Sequence, residues 1–291
     1  MSDPNRTVAF QGEPGAYSDL ACRTARPEMH TLPCRSFEDA FAAVTKGKAA
    51  LGMIPIENSV AGRVADIHHL LPQSGLHIIG EHYQRVNHHL LGVKGARIQD
   101  ITHVYSHIHA LNQCRDLIRE LGIEPVVSVD TAGSAARIAK HGDKTRAVIA
   151  SELAGDIYGL VSLRAGIEDA DHNTTRFLIM AKEAIVPHPK SAPTMTSFVF
   201  RVRNVPAALY KGLGGFATNG VNMTKLESYL VGGRFNAAQF YAEVEGHPEH
   251  RNVLLALEEL DFFSREVRIL GVYPQHPYRW ERDEDDDSET G

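Results

Sequence analysis

Three short polar clusters in this 291-residue chain hold residue types that can do chemistry. Pro55-Ile56-Glu57-Asn58-Ser59 follows the apolar run Leu51-Gly52-Met53-Ile54, so a carboxylate, an amide and a hydroxyl arrive together at a strand end. They can hydrogen-bond an anionic or hydroxylated ligand, or they can simply turn the chain and cap the next helix. Asp130-Thr131-Ala132-Gly133-Ser134 also follows a strand and opens a helix. Orphan N–H groups and the helix dipole favour an anion there, and an ordinary capped helix start uses the same groups. Asn173-Thr174-Thr175-Arg176-Phe177 places two hydroxyls and a guanidinium before the run Leu178-Ile179-Met180. An arginine can clamp a carboxylate with two bonds; the plainer alternative is a surface arginine at a strand start.

Other chemistries are poorly supplied. Sixteen histidines include the pairs His68-His69 and His88-His89, but adjacent residues do not converge on a helix and no HExxH spacing occurs. Cys22, Cys34 and Cys114 are far apart, with no CxxC pair, which suits free thiols in a reducing compartment. Gly212–Gly220 lacks both nucleotide-loop spacings. Neither a metal site nor a cofactor is expected.

The elements that must position the clusters read as follows. Residues 7–182 alternate strands and helices, which implies mainly parallel sheets with helices on both faces, foldable as two lobes around one cleft. Strands are expected at 7–10, 51–54, 76–80, 86–92, 102–105, 125–129, 146–150 and 176–181. Helices are expected up to Ala25 and over 37–46, 109–121, 133–141 and 151–158. Ligands of such sheets sit at the carboxyl ends of strands, which singles out loops 11–18, 55–62, 106–109 and 130–134. Residues 183–195 hold Pro187, Pro189 and Pro193 and read as a linker. Beyond it the order is βαββαβ, a ferredoxin-like arrangement over 196–276, with a turn at Gly232-Gly233.

Composition bounds the partners. The net charge of −6 lies wholly in residues 281–291, with seven acids and one base, so the body is formally neutral. No basic footprint for nucleic acid is present, and the acidic end reads as a solvated tail. No apolar run suits a membrane helix, and the first residues lack a secretory pattern, so a cytoplasmic protein is expected.

Taken together, the chain resembles the prephenate dehydratase family. The matching stretches are Phe10-Gln11-Gly12-Glu13-Pro14-Gly15-Ala16-Tyr17-Ser18, Pro55-Ile56-Glu57-Asn58-Ser59-Val60-Ala61-Gly62, Asp130-Thr131-Ala132-Gly133-Ser134-Ala135, Tyr158-Gly159-Leu160 and Asn173-Thr174-Thr175-Arg176-Phe177. Gly220-Val221-Asn222-Met223-Thr224-Lys225-Leu226-Glu227-Ser228 resembles the phenylalanine-sensing ACT domain. The resemblance implies a two-lobed α/β catalytic domain like a periplasmic binding protein, followed by the ferredoxin-like ACT domain. It implies decarboxylating dehydration of prephenate to phenylpyruvate, no cofactor, and a homodimer or homotetramer inhibited by L-phenylalanine.

The implied catalytic residues are Thr175, Asn58, Gln113 and Glu57. The implied substrate contacts are Ser59, Ser106, Thr131, Ser134, Arg176 and Phe177, and the effector contacts are Ala208, Leu209, Gly220, Asn222 and Met223. Three departures stand out. The family's Ser-His-Pro-Gln reads Ser106-His107-Ile108-His109, its Gly-Ala-Leu reads Ala207-Ala208-Leu209, and its Glu-Ser-Arg-Pro reads Glu227-Ser228-Tyr229-Leu230. Arogenate dehydratase and a non-catalytic small-molecule-binding module are the alternatives.

Overall fold

In a computed structural model, residues 3–231 and 234–281 are described. The acidic tail and the Gly232-Gly233 turn lie outside them. In chain order the elements are β1 (Thr7–Gln11), α1 (Tyr17–Ala25), β2 (His30–Cys34), α2 (Phe37–Thr45), β3 (Leu51–Asn58), β4 (Gly62–Arg63), α3 (Ile67–Leu70) and β5 (His77–Arg85). Next come β6 (His89–Gly92), β7 (His103–His107), α4 (Ile108–Asn112), α5 (Arg115–Leu121), β8 (Glu124–Ser128), α6 (Ala132–His141), β9 (Arg146–Ala150), α7 (Glu152–Tyr158), β10 (Val161–Ala165) and β11 (Thr174–Ala181). The chain then runs through β12 (Thr194–Val202), α8 (Ala208–Thr218), β13 (Met223–Val231), β14 (Arg234–Glu245), α9 (Arg251–Phe263), β15 (Ser264–Pro274) and α10 (Tyr278–Glu281). No described helix is long and apolar enough to cross a membrane.

The chain divides into two compact units, residues 1–64 with 82–177, and 65–81 with 178–291. The first unit holds two α/β lobes. One is built on the sheet β2-β1-β3-β11-β5, with β4 on β3; the division falls within β5 and β11. Val8, Ala9, Phe10, Met53, Ile54 and Ile56 are fully buried, which explains why these runs are strands without alternation. The other lobe is built on β10-β6-β9-β7-β8, over a core that includes Leu90, Val104, Leu111, Val148 and Ile149. The parallel expectation holds for β1 with β2 and β3, and for β7 with β8 and β9, whereas β6 runs antiparallel to β9 and β10.

Three local departures have physical reasons. Strand β3 continues through Pro55 to Asn58, past the loop start expected at Pro55. Its pairing with β1 ends at Met53, so the N–H that proline lacks is not needed on that side. The helix expected at 109–121 is two helices, broken at Gln113 and Cys114, where Cys114 leaves helical geometry at φ −131° and ψ 34°. Edge strands β2 and β10 were not expected; one carries Pro33 and neither has a buried apolar run.

Loop 12–16 is pinned to α7. Gly15 at φ +88° lies so close to Ala154 that a Cβ would sit 2.7 Å from its Cα, so only glycine fits. The Ser151 hydroxyl donates to Gly15 O and Tyr158 donates to Pro14 O, at 2.5 and 2.9 Å.

The second unit contains the βαββαβ run. Its antiparallel sheet has the order β13-β14-β12-β15, the ferredoxin-like order, covered by α8 and α9 over Phe198, Phe200, Phe216, Phe240, Val253 and Leu260.

Candidate active site

A cavity of about 370 Å³ in the first unit collects residues from four strand ends. Gln11 ends β1, Asn58 ends β3, His107 ends β7, and Val129-Asp130-Thr131 leads from β8 into α6. Tyr17, Val86, His88, His109, Ala110, Gln113 and Thr175 complete the main lining. This is the strand-end placement that open α/β sheets give their ligands.

The polar heart of the cavity joins the two lobes. Thr175 lies at the start of β11, which the bond from Ser59 N to Thr174 O (2.9 Å) holds against the end of β3. Asn58 Oδ1 accepts from Val60 N and Ala61 N at 3.0 and 2.7 Å. Its Nδ2 therefore points the other way, donating to Asn173 Oδ1 at 2.8 Å and to Thr175 Oγ1 at 3.0 Å. Asn173 Nδ2 donates onward to Gln113 Oε1 at 2.9 Å. His88 Nε2 meets the same oxygen at 3.1 Å, and Tyr17 Oη meets His88 Nδ1 at 2.9 Å. Burial lowers the pKa of His88 and raises that of Tyr17 well above its ordinary value.

Of the residues the sequence nominates, Asn58, Gln113, Thr175 and Thr131 line the cavity. Glu57 does not; Arg176 Nη1 donates to its Oε1 at 2.8 Å. Arg176 is buried, with its guanidinium also over the Tyr83 ring, and it too is absent from the lining. Ser59 donates to His172 O and Ser106 donates to Ile149 O, at 2.7 and 2.6 Å. Ser134 donates to Asp130 O at 2.6 Å, and Phe177 is packed in the core. These four stay outside the lining as well.

Asn173 and Asp130 stand in the clusters the sequence singles out but are not nominated individually, and Tyr17 and His88 are not nominated as site residues. His88 counts in the sequence only toward a metal set, and no metal-holding cluster exists among the described residues. Asp130 Oδ1 accepts from Gly133 N and so caps α6. His107 accepts from His109 N at 3.3 Å through Nδ1, and burial followed by the neighbouring His109 lowers its pKa. Among the described lining residues there is no lysine or arginine.

The second unit has its own cavity, of about 310 Å³, at the start of α8. Arg201, Arg203 and Arg265 line it together with Ala207, Ala208, Leu209 and Tyr210. Of the nominated effector contacts it holds Ala208 and Leu209, but not Gly220, Asn222 or Met223.

A family model described as prephenate dehydratase matches residues 8–185. A bifunctional N-acyl-homoserine lactone acylase/prephenate dehydratase of Komagataeibacter europaeus is 53% identical over 94% of this chain and 98% of its own length. Arogenate dehydratase/prephenate dehydratase 1 of Arabidopsis thaliana is 38% identical over 94% of this chain and 73% of its own. The crystal structure of prephenate dehydratase from Arthrobacter aurescens in complex with L-Phe superposes with a TM-score of 0.84. It is 29% identical and covers 92% of this chain and 90% of that one.

Proposed function

Because the chain belongs to the prephenate dehydratase family, we propose that it converts prephenate to phenylpyruvate, releasing carbon dioxide and water. The observation that carries this reading is the bond from Asn58 Nδ2 to Thr175 Oγ1. An amide N–H can only donate, so it occupies a lone pair of the hydroxyl and leaves the hydroxyl proton for a ligand in the cavity.

The reaction suits that donor. The bond from the ring to its carboxylate breaks and carbon dioxide leaves. The electron pair moves through the ring and expels the 4-hydroxyl as hydroxide, which takes a proton from solvent to become water, and the ring becomes aromatic. Thr175 donates a hydrogen bond to the departing oxygen, while Gln113, Thr131 and the start of α6 offer neutral donors to the carboxylates. Glu57, ion-paired with Arg176, orients the β3 end instead of supplying a proton.

Arogenate differs by an ammonium in place of the keto oxygen. Asp130 is the only acid in the described lining, and its Oδ1 caps α6, which favours the keto acid. Turnover of purified protein on prephenate and on arogenate, followed by phenylpyruvate and phenylalanine formation, tests this; a faster rate on arogenate reverses the assignment.

We assign residues 7–182 to the catalytic domain and 196–276 to an ACT domain that binds phenylalanine in a homodimer or homotetramer. The Arthrobacter relative, solved with L-Phe, supports the effector. A second reading is amide hydrolysis of N-acyl-homoserine lactones, an activity in the name of the Komagataeibacter relative. It is favoured by His107 and His109, with ring centroids 5.1 Å apart, in one cavity with Thr131 and Thr175. These supply a base, hydroxyls and donors. Release of homoserine lactone from an acylated substrate tests it.

A further inference from the structure

We propose that His88, held by Tyr17, is a positioning residue that decides which end of the Gln113 amide faces the cavity. Its kinetic consequence rests on the dehydratase reading above.

The two ends of an amide have nearly the same shape, so hydrogen bonds and not sterics choose between them. In this chain the choice is made in sequence. Val60 N and Ala61 N fix the oxygen of Asn58, so Asn58 Nδ2 faces Asn173 Oδ1. Asn173 then has only its N–H2 to offer Gln113, and the Gln113 oxygen turns toward it at 2.9 Å. At the far side His88 Nε2 approaches that oxygen at 3.1 Å. A carbonyl oxygen only accepts, so Nε2 carries the proton. Two donors thus converge on Gln113 Oε1 and hold it inside the protein. Its N–H2 remains for the cavity that Gln113 lines.

Tyr17 packs against the imidazole and fixes its plane. Its ring meets the His88 ring edge-on, with centroids 5.4 Å apart. Its hydroxyl donates to Asn87 O at 2.6 Å, and its oxygen lies 2.9 Å from Nδ1. The proton on Nε2 follows from the Gln113 oxygen that Asn173 turns toward it. Burial of His88, 2% exposed, disfavours the doubly protonated ring. The opposite tautomer would set a bare Nε2 against the Gln113 oxygen, acceptor against acceptor, and release the amide to turn its oxygen toward an anionic ligand. A buried histidine with satisfied nitrogens is ordinarily only packing. Here its donor ends on a residue of the cavity wall.

The test is a double-mutant cycle on steady-state turnover of prephenate. His88→Leu is expected to lower kcat/KM about tenfold, the usual worth of one hydrogen bond. His88→Gln, whose amide nitrogen reaches the same oxygen, is expected to recover most of it. In a Gln113→Ala background the His88→Leu change is expected to cost under about twofold, because the residue through which it acts is gone. A full tenfold loss in that background, or a His88→Gln protein as poor as His88→Leu, overturns the proposal. If His88→Leu does not fold, His88→Met runs the same cycle with the same expected loss. Nitrogen-15 NMR of wild-type His88 gives a reading independent of activity. Protonated Nε2 with bare Nδ1 is expected, and the reverse tautomer overturns the proposal. A wild-type protein inert on prephenate would sink the dehydratase reading, while the NMR result would still decide this one.

Discussion

Two buried polar networks in this chain are built from different groups. In the first unit Tyr17, His88, Gln113, Asn173, Asn58 and Thr175 follow one another through neutral donors and acceptors, open at one side to the cavity. In the second unit the groups are charged. Arg279 on α10 grips Glu81 with two bonds, of 2.7 and 2.9 Å, and reaches Glu243 at 3.5 Å. Both carboxylates are essentially sealed from solvent. Neutral amides cost less to bury and can be oriented, which suits a site that must present donors to a changing ligand. A buried ion triad is costly to assemble and more costly to leave half-made, which suits an anchor for α10. The comparison predicts that breaking the first network removes activity and breaking the second removes stability.

The largest effect should come from the charged network. Arg279→Ala leaves two sealed carboxylates without this partner and is expected to cost roughly 3–5 kcal/mol of stability. Denaturant unfolding measures it. A loss below about 1 kcal/mol would mean that the triad behaves as a surface pair. Turnover by the fraction that remains folded should be near normal.

Thr175→Ala should show the converse. Removal of a donor aimed at the leaving oxygen is expected to lower kcat about a hundredfold or more. Thr175 is only partly buried at the cavity wall, so the unfolding midpoint should barely move. Near-normal turnover in this variant would remove Thr175 from the reaction and take the donor polarity of the amide chain with it.

These two variants differ in how far the sequence announced them. Thr175, Asn58 and Thr131 were legible because polar residues at strand ends of an α/β pattern have few structural duties. The ferredoxin-like order was legible because its strands and helices are long and strongly patterned. Arg176 is different. Nominated as a substrate contact, with a surface arginine as the plainer reading, it lies buried because β11 lies against β3 and places Glu57 beside it, 119 residues away in sequence. His88 and Tyr17 are 71 residues apart, and only the fold brings their rings together. Neither link leaves a local pattern. The break between α4 and α5 is similarly silent, since Gln113-Cys114 contains neither glycine nor proline.

A smaller effect should follow pH, and it belongs to the neutral network. Burial lowers the pKa of His88, and burial with His109 lowers that of His107, both from 6.5. Between those lowered values and 6.5 the unfolded chain binds more protons than the folded one. Stability therefore rises with pH through that window and is lost as pH falls through it. Melting temperatures measured between about pH 7.5 and about pH 5.5 should fall toward acid, and His88→Gln should flatten the slope. A slope unchanged by that substitution would mean that His88 carries its charge in the folded protein.

The smallest effect tests the cavity beside α8 in the second unit. Ala207 sits at φ +61°, the only described non-glycine residue with positive φ, and it occupies the position where the family's Gly-Ala-Leu has glycine. Left-handed backbone costs an alanine roughly 1–2 kcal/mol, and glycine nothing, while glycine loses more chain entropy on folding. The difference leaves Ala207→Gly stabilising by about 0.5–1 kcal/mol, a rise in melting temperature of about 1–3 °C for a protein of this size. The strain persists because the turn is held from both sides: Ala208 N donates to Val205 O at 3.2 Å and Lys211 N donates to Ala207 O at 2.9 Å. Ala207 also lines the cavity that holds Arg201, Arg203 and Arg265. If phenylalanine binds there, removal of the methyl lets its carboxylate approach the backbone more closely. Calorimetric affinity for phenylalanine should then rise in Ala207→Gly while turnover without effector stays the same. A melting temperature that falls would show that the methyl packs favourably enough to outweigh the strain. A rise in stability with unchanged phenylalanine affinity would separate the strained turn from the effector site.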